Sequence, residues 1–282
     1  MELFRTKTEV AHFRQSLRDS GRSLGLVPTM GALHQGHLEL VERALSENQA
    51  VIVTIFVNPT QFNNPDDLAR YPRSLEGDLD MLRALSDQLA VFAPEVSEMY
   101  GGEVVSRPYD FGGLEAVMEG THRPGHFDGV GTIVEALLRM ILPDRAYFGE
   151  KDYQQLQIIR KLVRLRDIPV EIVPCPIVRE ADGLAMSSRN KRLSEPLRNK
   201  APFIYQTLKL AQSLFGTKSA AEIRQKVGEA FAGEPDFELE YFEIADAATL
   251  QPAHRKQKDK QYRAFVAAYL GGVRLIDNIA LN

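Results

Sequence analysis

Two histidines three residues apart, His34 and His37, follow an apolar run and stand beside two glycines in the stretch Pro28-Thr29-Met30-Gly31-Ala32-Leu33-His34-Gln35-Gly36-His37. That spacing puts both imidazoles on one face at the start of a helix. Gly31 and Gly36 let the backbone turn tightly and approach a ligand. A helix N-terminus draws anions, because its first N–H groups lack intrahelical partners and the dipole favours negative charge. An imidazole placed there adds a donor that follows charge as it develops on a phosphate. Local sequence alone also allows a plainer reading, a capping residue and a partly buried spacer. Zinc ligation is disfavoured, since no cysteine and no H-E-x-x-H pattern accompanies the pair.

Three other stretches carry matching chemistry. Leu184 to Asn190 (LAMSSRN) sets the hydroxyls of Ser187 and Ser188 beside Met186 and the guanidinium of Arg189, a set suited to phosphate oxygens. Gly183 and its polar neighbours read as a flexible loop able to close over a triphosphate. Alone, such a stretch is a surface loop. Phe148 to Gln155 (FGEKDYQQ) runs from a strand end into a helix, so Lys151 and Asp152 are expected on the side to which His37 looks. The alternative is a solvated N-cap turn with a Lys–Asp pair. Thr54 to Phe62 (TIFVNPTQF) brings the neutral amides Asn58 and Gln61 to a polar turn, where they suit a small hydroxy acid. Turn chemistry around Pro59 explains Asn58 equally well. Neither a G-x-x-x-x-G-K-[ST] loop nor a G-x-G-x-x-G turn is present, so a nucleotide must be held another way.

The elements that must position these residues alternate. Strand-like runs at Ser23–Val27, Val51–Val57, Leu89–Ala93, Ala146–Phe148 and Val170–Val173 are separated by amphipathic runs at Leu38–Ser46, Leu75–Leu85, Gly131–Ile141 and Tyr153–Leu165. Such alternation predicts an α/β fold, a Rossmann-like doubly wound parallel sheet, over residues 1–180. After about Asn190 the pattern changes. Helical runs at Glu195–Phe215 and Ser219–Phe231 precede strands at Leu239–Ile244, Arg263–Leu270 and Val273–Ile276, which predicts a smaller C-terminal α+β domain over 181–282, expected to act as a lid.

Composition narrows the class. With 282 residues, 44% of them hydrophobic, and a formal charge of −4, the chain has the make-up of an ordinary globular protein of roughly two domains. One cysteine, Cys175, cannot form an intramolecular bridge and suits a reducing, cytoplasmic setting. The charged N-terminus is unlike a signal peptide. No apolar run approaches the roughly 18 residues of a membrane span. No concentrated basic face argues for nucleic acid as a partner. The basic run His254 to Arg263 reads as a solvated hairpin loop.

PTMGALHQGHL, FVNPTQF, HRPGHFDGV (His122 to Val130), FGEKDYQQ and MSSRN together resemble the pantothenate synthetase family, the AMP-forming pantoate:beta-alanine ligases of the nucleotidyltransferase superfamily, in the family's order and spacing. The resemblance implies that Met30, Gly31, Ala32, Leu33, His34, Gln35, Gly36 and His37 hold ATP, with His37 the general acid for departing pyrophosphate and His34 assisting. It implies that Gly149, Glu150, Lys151, Asp152, Val178, Met186, Ser187, Ser188 and Arg189 complete the nucleotide site, with Lys151 catalytic. Gln61 and Gln155 would hold pantoate, and Gln61 would also lie near beta-alanine. It further implies Mg2+, for which Asp78 in the acidic stretch Glu76 to Asp80 is the candidate ligand, and a homodimer. A cytidylyltransferase-like enzyme would share the histidines but has no use for a second, amine-accepting pocket. A non-catalytic nucleotide sensor on the same scaffold would tolerate loss of His37 or Lys151, and both are present.

Overall fold

The computed structural model describes residues 1–282. β1 (Glu2–Phe4) and α1 (Lys7–Asp19) precede β2 (Leu24–Thr29), α2 (Gln35–Glu47) and β3 (Ala50–Ile55). α3 (Pro65–Ala69) and α4 (Leu75–Leu85) lead to β4 (Leu89–Phe92). Then come α5 (Val96–Tyr100), α6 (Glu119–His122), α7 (His126–Ile141), β5 (Arg145–Gly149), α8 (Tyr153–Leu165) and β6 (Glu171–Cys175). The six strands pair in parallel in the order β1-β4-β3-β2-β5-β6. From β2 the chain winds outward through β3 and β4, then returns to the other side of β2 for β5 and β6. The winding therefore reverses between β2 and β5, and in such sheets ligands bind beyond the carboxyl ends of the strands at that point. The histidine loop leaves β2 there, and Glu150 leaves β5 there.

Near-continuous Val, Ile and Leu runs in β2, β3 and β4 are what a sheet covered on both faces requires. Val27, Val51, Val53 and Val91 pack with Leu40, Val41 and Ala44 of α2 and Leu79 and Leu82 of α4. α7 buries Phe127, Val130, Val134, Leu137, Leu138 and Ile141, a broad apolar stripe at helical spacing. No helix is long and apolar enough to cross a membrane.

The C-terminal part adds α9 (Glu195–Lys200), α10 (Phe203–Leu214) and α11 (Ala220–Ala232), then the antiparallel sheet β7 (Phe237–Asp246), β8 (Tyr262–Leu270) and β9 (Val273–Ala280). The single helix expected over 195–215 is two, because Pro202 has no N–H to continue the ladder. Ile244, Ala264, Val266, Val273 and Leu275 face α10 and α11 in one core. The basic run is tied down rather than merely solvated. Lys256 donates to the carbonyls of Phe215 and Lys218 at the end of α10, where a cation is favoured.

The chain divides into two compact units after Pro176 rather than after residue 180, and two inner segments, Ala116–Glu119 and Lys151–Gln154, belong to the second unit. Side-chain chemistry explains that assignment. The Arg274 guanidinium on β9 donates to both Glu119 oxygens at 2.9 and 2.7 Å, and the Tyr241 hydroxyl donates to Glu119 at 2.7 Å. The Gln154 amide accepts the Glu119 N–H at 3.0 Å and donates to the Val117 carbonyl at 2.8 Å.

Candidate active site

In the first unit, Thr29 at the end of β2 starts the loop: its hydroxyl donates to the Thr54 carbonyl at 2.7 Å and accepts the Gly31 N–H at 3.2 Å. Gly31 (φ 78°) and Ala32 (φ 51°) are then both left-handed. A side chain at Gly31 would place its Cβ 2.9 Å from an Asp78 oxygen, so both conformation and space demand glycine. Ala32 holds the same region against a cost of roughly 1–2 kcal/mol. Asp78 on α4 stabilises it, with Oδ2 accepting the Ala32 N–H at 2.9 Å and Oδ1 the Leu33 N–H at 2.7 Å.

Those bonds give Asp78 a part in holding the loop backbone beside the metal-binding part expected of it. Its carboxylate is buried and aimed at the loop backbone, and no group of three or more His, Cys, Asp or Glu side chains is arranged to hold a metal ion. Glu76 and Asp80 pair with Arg83 on the exposed side of α4. Asp78 is thus the one carboxylate of the stretch turned inward, onto the histidine loop. The amides of Ala32 and Leu33 donate to Asp78, and the Leu33 side chain lies in the core. Gln35 is exposed and donates to Glu39 at 3.2 Å. Met30, His34, Gly36 and His37 remain part-exposed.

His34 is the N-cap of α2 in extended conformation, its side chain making no capping hydrogen bond, while its carbonyl accepts the N–H of His37 at 2.8 Å. The two rings lie 4.0 Å apart, tilted by 34°. The pair stands together at the start of α2, an arrangement suited to an anion that gains charge as a bond breaks.

Gln61 ends a 3-10 turn over Pro59–Gln61 and is buried. His126 Nδ1 lies 2.8 Å from the Gln61 carbonyl, and Arg123 donates to that carbonyl at 3.1 Å. The motif HRPGHFDGV contains both, yet their role is legible only once the chain has folded. Asn58 is fully buried and structural: its amide donates to the Gly129 carbonyl at 3.1 Å, and its oxygen accepts from the Tyr100 hydroxyl and from Thr60 at 3.2 Å. Gln155 lies part-exposed in the first turn of α8.

The second unit carries Lys151 and Asp152, with Lys151 Nζ 3.9 Å from the Asp152 carboxylate. It also carries Val178 to Asn190, in which the stretch around Gly183, expected to be a flexible loop, is the turn of a hydrogen-bonded hairpin. The Met186 N–H donates to the Val178 carbonyl at 3.0 Å, and the turn at Gly183 (φ 93°) is so close to Tyr205 that a Cβ would lie 2.4 Å from its ring. Arg179 stacks 3.9 Å over the Tyr205 ring and holds Asp277 with both arms at 2.6 and 3.0 Å. Burial pushes the Asp277 carboxyl up, against the pull of Arg179. Arg198 pairs with Glu180 and Asp182. Ser187 Oγ accepts the Arg189 N–H at 3.3 Å as cap of the 3-10 turn Ser188–Arg192, and Ser188 is buried. Met186, Ser187 and Arg189 stay part-exposed.

Known proteins match the whole of this chain. The family profile described as pantoate-beta-alanine ligase matches residues 2–280. A pantothenate synthetase of Christiangramia forsetii is 55% identical over 282 residues, covering 100% of both chains, and one of Flavobacterium psychrophilum is 52% identical over the same span and coverage. A crystal structure of the Thermus thermophilus pantothenate synthetase superposes with a TM-score of 0.91 at 43% identity, covering 100% of this chain and 99% of that one. A Francisella tularensis pantoate-beta-alanine ligase, described in complex with beta-gamma ATP and beta-alanine, superposes at 0.81 with 36% identity, covering 100% of this chain and 98% of its own. With its histidine pair at the winding reversal and a full-length match on every side, the chain belongs to the pantoate-beta-alanine ligase family.

Proposed function

We propose that this protein condenses (R)-pantoate with beta-alanine to give pantothenate, using ATP, through a pantoyl adenylate and with release of AMP and pyrophosphate. A carboxylate is a poor electrophile because its leaving group would be oxide. Attack on the α-phosphate of ATP converts that oxygen into part of AMP, and the amine of beta-alanine then displaces it. No enzyme nucleophile is needed. Cys175, buried with its thiol pushed up to about 11 by loss of solvent, is poorly suited to be one.

His37 is assigned to the departing pyrophosphate with His34 beside it, and Lys151 to neutralising phosphate charge. Met30, Gly31, Ala32, Leu33, Gln35, Gly36, Gly149, Glu150, Asp152, Val178, Met186, Ser187, Ser188 and Arg189 are assigned to ATP, Gln61 and Gln155 to pantoate, and Gln61 also to beta-alanine. Alignment of the reactants and donors around the phosphates supply most of the acceleration. Mg2+ bound with ATP would neutralise phosphate charge, and Asp78 is the carboxylate assigned to it. A homodimer follows from the resemblance alone, and sedimentation equilibrium tests it; the cytoplasm is the compartment that a lone buried thiol suits.

The observation that carries this reading is the match to the ligase family over residues 2–280, with the histidine pair at the carboxyl end of β2. The description of the Francisella tularensis relative with beta-alanine favours it over a cytidylyltransferase-like enzyme. The test is incubation with ATP, Mg2+, pantoate and beta-alanine while AMP and pyrophosphate are followed. Stoichiometric AMP that requires both organic substrates is expected; ADP, or AMP formed without pantoate, contradicts the reading. His37→Ala is expected to fold and to slow pantoate-dependent exchange of pyrophosphate into ATP by about 10²-fold, the scale of a lost oxyanion donor.

A further inference from the structure

Lys151 sits on a 3-10 turn, Glu150–Asp152, that precedes α8, and an ε-ammonium on four methylenes acts where its Cα is put. The placing is done from the far end of the chain. Asn278 on β9 donates its amide N–H to the Lys151 carbonyl at 2.8 Å. The Asn278 oxygen in turn accepts from Arg263 on β8, which fixes which way the carboxamide faces. The Arg263 guanidinium also lies 4.1 Å over the ring of Tyr153, two residues beyond Lys151, and that ring lies 6.0 Å from Phe265. Phe265 and Asn278 are register partners on the same sheet face. Behind them, Arg179 of the hairpin that leads to Ser187 and Arg189 donates to the Asn278 carbonyl at 3.3 Å and grips Asp277.

A carboxamide that is 2% exposed, held on its oxygen side and donating into a neighbouring segment, costs free energy to leave unpaired and has one orientation open to it. We propose that Asn278, oriented by Arg263, is the positioning residue for Lys151, and that through Arg179 and Asp277 the same strand sets Lys151 in register with the hairpin that leads to Ser187 and Arg189. The assignment rests on the reading that Lys151 acts at the phosphates of ATP. Asn278 itself touches no reacting atom.

The experiment is a double-mutant cycle read in pantoate-dependent pyrophosphate–ATP exchange, with Asn278→Ala, Lys151→Ala and the pair, each checked for folding by its melting curve. Asn278→Ala is expected to lower kcat for exchange by about 10-fold or more while leaving the KM for pantoate within about 2-fold, since small misplacements of a reacting group are costly. On the Lys151→Ala background the same change is expected to cost less than about 2-fold, because a residue that works through its partner does not add to that partner's loss. Asn278→Asp keeps the acceptor for Arg263 and removes the donor to Lys151, so it folds more readily and is expected to show the same loss and the same non-additivity. A wild-type rate in Asn278→Asp, or an equal fold-loss on both backgrounds, overturns the proposal. If Lys151→Ala alone exchanges at the wild-type rate, the reading of Lys151 fails instead, a result distinct from either.

Discussion

At the residue scale, the loop bearing His34 and His37 is held by its backbone, through the two Asp78 oxygens that meet the Ala32 and Leu33 amides. Asp78→Asn replaces one acceptor with a donor aimed at an N–H. It is expected to destabilise the protein by about 1–3 kcal/mol, the cost of leaving a buried polar group unsatisfied, and to slow pyrophosphate exchange by about 10-fold or more. A rate that stays low as Mg2+ rises is expected from loss of the loop anchor; recovery of the rate with rising Mg2+ would place the loss at the metal instead. Placement was legible from sequence where it is local, as with His34 and His37 at the start of a helix, or Lys151 after a strand end. The part Asp78 plays in the loop was not legible, because its partners there are main-chain amides 45 and 46 residues away, which composition cannot display. For the same reason Arg123 and His126, which meet a main-chain oxygen of Gln61, showed only as parts of a motif.

At the element scale, α7 carries a buried Glu135 that accepts from Arg139 at 2.8 Å, from Arg166 at 3.0 Å and from the Tyr109 hydroxyl at 2.8 Å, tying residues 109 and 166 to one helix. Burial pushes the Glu135 carboxyl up, but the bonds from Arg139, Arg166 and Tyr109 outweigh it and hold the group at about 2. A carboxyl held below its unfolded value of 4.5 contributes stability above that pH and loses it as pH falls toward about 2. Glu135→Gln is accordingly expected to lower stability by ~2 kcal/mol near neutrality and to flatten the pH dependence between about 4.5 and 2, read from urea midpoints at each pH. An unchanged slope in that window counts against the network. Periodicity found the elements well where apolar spacing was long and clean: α4 and α8 begin and end where the pattern does. It passed over α1, whose Thr6–Glu9 capping box is a start signal obscured by charge in every turn. It also ran Glu195 to Phe215 together across Pro202.

At the scale of the whole molecule, the second unit is not a separable C-terminal piece. Arg274 pairs there with Glu240 and with Glu119, and Glu119 also accepts from Tyr241, whose phenol burial pushes far up. A fragment of residues 177–282 lacks Glu119 and Lys151–Gln154 and leaves buried charge and a hydroxyl short of partners. Breaking a buried pair costs about 3–5 kcal/mol against a total of about 5–15, so the fragment is expected to melt without a cooperative transition in circular dichroism. A sharp melt comparable to the full chain would contradict this. Sequence alternation revealed the parallel sheet and the antiparallel tail, but a division that gives the inner segments Ala116–Glu119 and Lys151–Gln154 to the second unit depends on side chains far apart in the chain.

The central claim is that the pantoate carboxylate is activated by attack on the α-phosphate before the amine arrives. Its most direct test uses pantoate labelled with heavy oxygen in both carboxylate positions, with ATP and beta-alanine, followed by mass spectrometry of the products. One labelled oxygen is expected in AMP and one in the pantothenate amide. Label in pyrophosphate or inorganic phosphate, or AMP free of label, would contradict the account.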